Sequence, residues 1–161
     1  MRDSIGGSML LNLVIIFAGL VIALFMGILS YSKAYGVKNR IIEIIEKYGT
    51  YEKIESGKNL ITEELNPDLA AFGYNASAPT KCDSIKERLK NEKYGGNLDE
   101  VGNLNKYGYN YCVFQINNSE NSTGKSFVVV SFIHFEVPII SNVVTIPVYG
   151  ETKILGKTYD Y

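Results

Sequence analysis

The chain predicts an α+β fold: one long N-terminal helix followed by a small antiparallel β-sheet domain. Three observations predict it. Residues Met9 to Leu29 form an almost unbroken apolar run, MLLNLVIIFAGLVIALFMGIL. Apolar residues then recur at helical spacing as far as Tyr48. The last third of the chain alternates β-branched and aromatic segments with short polar turns. Three segments follow from this: a short leader (1–7), a long helix (8–48) whose part 9–29 is apolar all round, and an α+β domain (50–161).

The apolar run is long enough to cross a bilayer, which takes roughly 20 helical residues. It exceeds the 7–15 apolar residues of a secretory signal peptide, although Ser32-Lys33-Ala34 has the small-residue pattern of a cleavage site. Beyond it, Ala34, Val37, Ile41, Ile45 and Tyr48 are spaced three and four apart, one stripe of an amphipathic helix. Glu43 and Lys47 stand at i and i+4 in the favourable order. Gly49 occupies the position where helices end. From Ser8 to Tyr48 such a helix is roughly 60 Å long at 1.5 Å per residue. Gly19, Ala23 and Gly27 repeat every four residues, a face of small side chains that lets a second helix approach closely. Asn12 is the one strongly polar side chain in the run.

Residues 50–58 read as a polar connection. Leu60, Ile61, Leu65, Leu69 and Phe72 predict a second helix, which Pro67 either kinks or restarts after Asn66. A turn-rich link, Gly73 to Pro79, precedes Cys82 and a short amphipathic stretch, Ser84 to Leu89. The Gly-, Asn- and Tyr-rich stretch 91–110 reads as a long mobile loop or a hairpin, a usual place for binding. Tyr111 to Ile116 is a strand. Ser126 to Val137 is a longer one, with Phe127, Val129, Ile133 and Phe135 on one face. Val128, Val130 and Phe132 lie on the other, which predicts a central strand covered on both sides. Val143 to Lys153 is a third strand, placed at an edge because Pro147 has no N–H for a ladder. Sequential strands joined by short turns make an antiparallel sheet. The amphipathic half of the long helix is its natural cover.

Composition excludes several functions. Beyond Ser30 the chain carries 15 Lys/Arg against 16 Asp/Glu, a balance that gives no electrostatic argument for nucleic acid, and none is expected as a partner. Gly124-Lys125-Ser126 resembles the end of a phosphate-binding loop, but Ser119 stands where the motif needs Gly, and a strand follows where it needs a helix. His134 is the only histidine. It lacks the Cys or second His at metal-ligand spacing that a zinc site requires. Asp99, Glu100, Asn103 and Asn105 fit no calcium loop. No catalytic set, cofactor motif or metal set is visible, and the expectation is a non-enzyme. Cys82 and Cys112 are the only cysteines. They pair in an oxidising compartment and remain thiols in the cytoplasm; the residues alone leave both open. Counting basic residues near the span, Arg2 before it against Lys33, Lys38, Arg40 and Lys47 after it, places the C-terminal domain inside.

The segment Gly6-Gly7-Ser8-Met9-Leu10-Leu11-Asn12-Leu13, with its apolar run and amphipathic extension, resembles the type IV pilin class. More narrowly it is similar to the TadE/TadG-like pseudopilins of tight-adherence pilus systems. GILSYSKAYGVKNRIIEIIEKYG is similar to the region where their membrane helix exits, and FEVPIISNVVTIPVYGETK to their distal strands. The resemblance implies cleavage by a prepilin peptidase between Gly7 and Ser8, and helix–helix assembly with other pilin or pseudopilin subunits through Asn12, Gly19, Ala23 and Gly27. Asn12 stands where the class usually has a Glu that pairs with a neighbour's N-terminal amine, which suits a minor subunit. The resemblance also implies an extracytoplasmic domain, against the charge count, and with it a Cys82–Cys112 disulfide. The expected function is therefore a membrane-inserted structural component of a pilus or secretion system. The alternative is a single-pass tethered binding module using residues 91–110.

Overall fold

The computed structural model describes residues 2–51, 54–55, 58–72, 82–95, 98–103, 111–116, 124–135 and 144–156. Helix α1 (Arg2–Tyr48) is followed by a minimal hairpin, β1 (Ile54–Glu55) and β2 (Lys58–Asn59). Then come α2 (Leu60–Ala71), α3 (Cys82–Leu89) and a π-helical turn, Lys90–Tyr94. Strands β3 (Leu98–Asn103), β4 (Tyr111–Ile116), β5 (Ser126–Phe135) and β6 (Val144–Glu151) complete the order. The four form one antiparallel sheet in the order β3-β4-β5-β6. This is the α+β architecture that the sequence predicts.

α1 begins at Arg2, six residues before the predicted start at Ser8. No proline interrupts Arg2–Ser8, and each of Gly6 and Gly7 costs a helix only about 1 kcal/mol. It ends as predicted: Gly49 has φ +71°, and its N–H bonds to the carbonyl of Ile45 at 2.8 Å. A positive φ is a conformation that glycine adopts without a Cβ penalty.

The sheet is covered on both faces. On one, Tyr111, Val113, Phe127, Val129 and Ile133 pack against Ala34, Val37, Ile41, Ile44 and Ile45 of α1 and Ile61, Leu65 and Leu69 of α2. On the other, Cys112, Phe114, Val128, Val130 and Phe132 pack against Cys82, Ile85 and Leu89 of α3, with Leu98. Residues alternating along β5 supply both cores, which is why its middle is apolar throughout. β6 is an edge strand, and Pro147 lies within it opposite Phe132.

Helix and sheet approach most closely where side chains are small. Ser131, fully buried, donates its hydroxyl to the carbonyl of Ala34 at 2.8 Å. Gly150 lies so near α1 that a Cβ there would stand 2.7 Å from Cδ of Lys38 and from Cδ1 of Ile42. Gly150→Val is therefore expected to cost about 1–3 kcal/mol by overpacking. The chain has 12 Tyr and no Trp, so loss of near-ultraviolet tyrosine dichroism on titration with denaturant measures it.

Two open alternatives are resolved and one local expectation is corrected. Residues 98–103 are a strand paired with β4, and 90–94 are a helical turn, so of the two readings of 91–110 the described residues give the hairpin; 96–97 and 104–110 lie outside the described residues. Leu98 and Val101 stand three residues apart and so serve opposite cores, and a β-bulge between Glu100 and Gly102 interrupts the pairing with β4. Of the two readings of Pro67, the structure has it inside one continuous α2 and not at the start of another helix. Glu43 and Lys47 do not pair: Glu43 meets Arg40, and Lys47 meets Glu64.

Candidate functional site

Two surfaces on this scaffold have the character of working parts: the N-terminal half of α1 and a cleft on the far side of the sheet. α1 is one helix with two environments. From Met9 to Leu29 every large apolar side chain except Val21 is more than half exposed. From Ala34 to Ile45 the stripe Ala34, Val37, Ile41, Ile44 and Ile45 is fully buried. The exposed half is long and apolar enough to cross a membrane. At this boundary Tyr31 and Tyr35 stack with ring centroids 6.0 Å apart, and Nζ of Lys38 lies 3.9 Å over the Tyr35 ring. Their rings are about half exposed, at 53% and 44%.

The predicted assembly residues all lie on the exposed half. Asn12, Gly19 and Ala23 are exposed and Gly27 is partly so. A Cβ on Gly19 would meet nothing within 4 Å. At about 100° per residue, Asn12, Gly19, Ala23 and Gly27 fall in one sector of about 80°. Ala34, Val37, Ile41 and Ile45 fall in that same sector, so the small-residue stripe points to the side on which the sheet is mounted. Gly7 and Ser8 also lie inside the helix, and both are exposed. Ala34, at the alternative cleavage pattern, is buried and holds Ser131, so a cut there would remove a docked part of the fold.

Outside the apolar run, α2 is clamped to α1 by charge. Arg40 reaches three carboxylates: Nη1 to Glu43 at 2.9 Å, Nη2 to Glu64 at 3.5 Å and Nε to Asp68 at 2.6 Å. Glu64 also accepts from Lys47 Nζ at 2.9 and 3.0 Å and from the Tyr48 hydroxyl at 2.8 Å. The hydrogen bonds from Lys47, then that from Tyr48, hold the Glu64 carboxyl below the ordinary range. A depressed carboxyl adds stability that is present above its ordinary pKa and is lost as pH falls through the lowered value. Acidification should therefore loosen α2 from α1, and Glu64→Gln should flatten that dependence. Hydrogen exchange of the 60–71 amides across an acid series reads both. The effect should stay below about 1 kcal/mol, because these pairs are partly in solvent.

Cys82 and Cys112 form a disulfide, with Cα atoms 5.9 Å apart, that ties the start of α3 to β4. Beside α3 a cleft of about 450 Å³ opens on the face of the sheet away from α1. Arg88, Lys93 and Tyr94 line one wall, and Val128, Tyr149 and Glu151 the other. Lys93 and Glu151 close across it at 2.9 Å. Sequence reasoning missed this cleft, because its walls come from segments more than thirty residues apart. Among the described residues of the predicted 91–110 binding stretch, Glu92, Lys93 and Tyr94 reach it. Gly124-Lys125-Ser126 leads into β5, with Lys125 bridged to Leu155, so no helix N-terminus is present to hold phosphate.

No protein-family model, curated protein or solved structure matches the chain.

Proposed function

We propose that this protein is a single-pass, membrane-anchored structural subunit of pilin type, a TadE-like minor pilin or pseudopilin. Its helix would assemble with the helices of other subunits, while its α+β domain stands outside the cytoplasm. The observation that carries the reading is the continuity of α1. A bare tether needs no rigid connection to its domain, yet here the exposed apolar half runs without a break into a half that is the core of the fold. The disulfide supports an oxidising, extracytoplasmic setting over the one suggested by the basic-residue count. The exposed sector of Asn12, Gly19, Ala23 and Gly27 supports helix–helix contact. The part played is structural and needs no cofactor; a prepilin peptidase is the expected processing partner.

Mass spectrometry of the membrane-extracted protein tests the reading. A mature N-terminus at Ser8, with disulfide cross-linking of a Gly19→Cys variant to a neighbouring helix, is the expected result. An intact Met1 with no co-purifying pilus component would remove the assembly role. A tethered binding module is the second reading, favoured by the cleft at Arg88, Lys93 and Tyr149. Lys93→Ala and Arg88→Ala would then abolish partner capture with membrane insertion unchanged.

A further inference from the structure

The strands of the sheet run against α1. Ser131 of β5 bonds to Ala34. Gly150, which pairs with Val129, meets Lys38 and Ile42. The Lys153 N–H reaches Glu46 at 3.0 Å. β5 therefore runs antiparallel to α1, and β6 parallel to it. The end of the β5–β6 hairpin at which Phe135 stands opposite Val144 points back toward the apolar half of the helix.

The distances set how far back it reaches. Ala34 stands five residues past Leu29, about 7.5 Å along the axis. From Ser131, level with Ala34, β5 continues four residues to Phe135, about 13 Å of strand. A strand inclined by about 45° would still descend about 9 Å. The hairpin end therefore comes level with the last residues of the apolar run. A headgroup layer is roughly 5–7 Å thick on each side of the hydrocarbon. Tyr31 and Tyr35 stand about 3 and 9 Å past Leu29, within or at the edge of such a layer.

The chemistry at this level suits lipid. Tyr31 and Tyr35 are half-exposed aromatic rings with polar tips, the residue type that gathers at membrane interfaces. Ile146, on the helix side of β6, is 44% exposed. Lys33 is exposed close by. The overhang also lies on the side of α1 occupied by Gly19, Ala23 and Gly27.

We infer that the membrane-proximal end of the β5–β6 hairpin, together with Tyr31 and Tyr35, rests in the headgroup layer of the bilayer. The folded domain then touches lipid at a second place besides its anchor. This rests on the reading of Met9–Leu29 as a membrane span. The test uses the full chain in phosphatidylcholine–phosphatidylglycerol vesicles. An environment-sensitive fluorophore is placed on Ile146→Cys, Lys153→Cys or Leu20→Cys, and quenchers are fixed to the lipid at shallow or deep positions. The native cysteines are bonded to each other and take no label. Position 153, about 25 Å past Leu29 along α1, should lose no emission. Position 146 should be quenched by the shallow lipid and position 20 by the deep one. Thr145→Cys repeats the measurement on the neighbouring residue in case the 146 variant misfolds.

Quenching at 20 with none at 145 or 146 overturns this inference and leaves the span intact. No quenching at 20 overturns both. A label at 146 that is immobilised but unquenched, the result if a second copy covered this end, also overturns it.

Discussion

Ile41→Ala should destabilise the domain by about 2–5 kcal/mol, the cost of emptying a fully packed aliphatic site. Ile41 is fully buried, and its neighbours Val37, Ile44 and Ile45 are equally inaccessible. They occupy the layer where α1, α2 and the sheet meet, so each missing carbon leaves a void that three elements must share. The effect should be local in one sense: the apolar half of α1 makes no contribution to this core, and insertion should be unchanged. In detergent or vesicles the variant should keep its far-ultraviolet helix signal, lose tyrosine near-ultraviolet dichroism at lower denaturant, and expose 34–48 to protease. A variant indistinguishable from the parent would mean that the sheet does not depend on the helix for its cover.

Replacing both cysteines by Ala should cost about 3–4 kcal/mol, since the bond closes a loop of 30 residues and constrains the unfolded chain accordingly. The loss should be unevenly distributed. α3 is one short helix held to the sheet mainly by Ile85, Leu89 and the disulfide itself. Amides of 82–94 should exchange first, while those of 34–48 in α1 and 126–133 in the sheet, which α1 and α2 still cover, stay protected. Reduction of the wild-type chain should reproduce the pattern. Uniform loss of protection across both sets would refute the account of two separate cores, one on each face of the sheet.

Much of this architecture was legible because strong periodicities survive folding. The double-faced β5, the edge position that Pro147 imposes on β6, and the glycine stop after Tyr48 each rest on a local rule that the tertiary structure had no reason to override. What escaped was of two kinds. β3 carries only Leu98 and Val101 as apolar residues, three apart and one on each face, so LDEVGN has no strand period to detect. The Arg40–Glu64–Asp68 clamp, and the diversion of Lys47 from Glu43 to Glu64, depend on α2 folding back along α1. The cleft beside α3 likewise exists only once Arg88 and Tyr149 are brought together. The exposed half of α1 could be read from composition alone, whereas its angular alignment with the buried half became meaningful only when the helix proved unbroken.

That continuity has a mechanical consequence. A domain on a loop can swivel and must be caught in the right orientation when it meets another. Here the hydrogen-bonded ladder runs from Arg2 to Tyr48, and Ser131, Gly150 and Glu46 fasten the sheet along its upper turns. Rotating the lower half about its axis turns the whole head with it. Two such molecules sharing a membrane would have little left to align beyond rotation in the plane. Much of the orientational freedom that association normally sacrifices is removed in advance, when each copy folds.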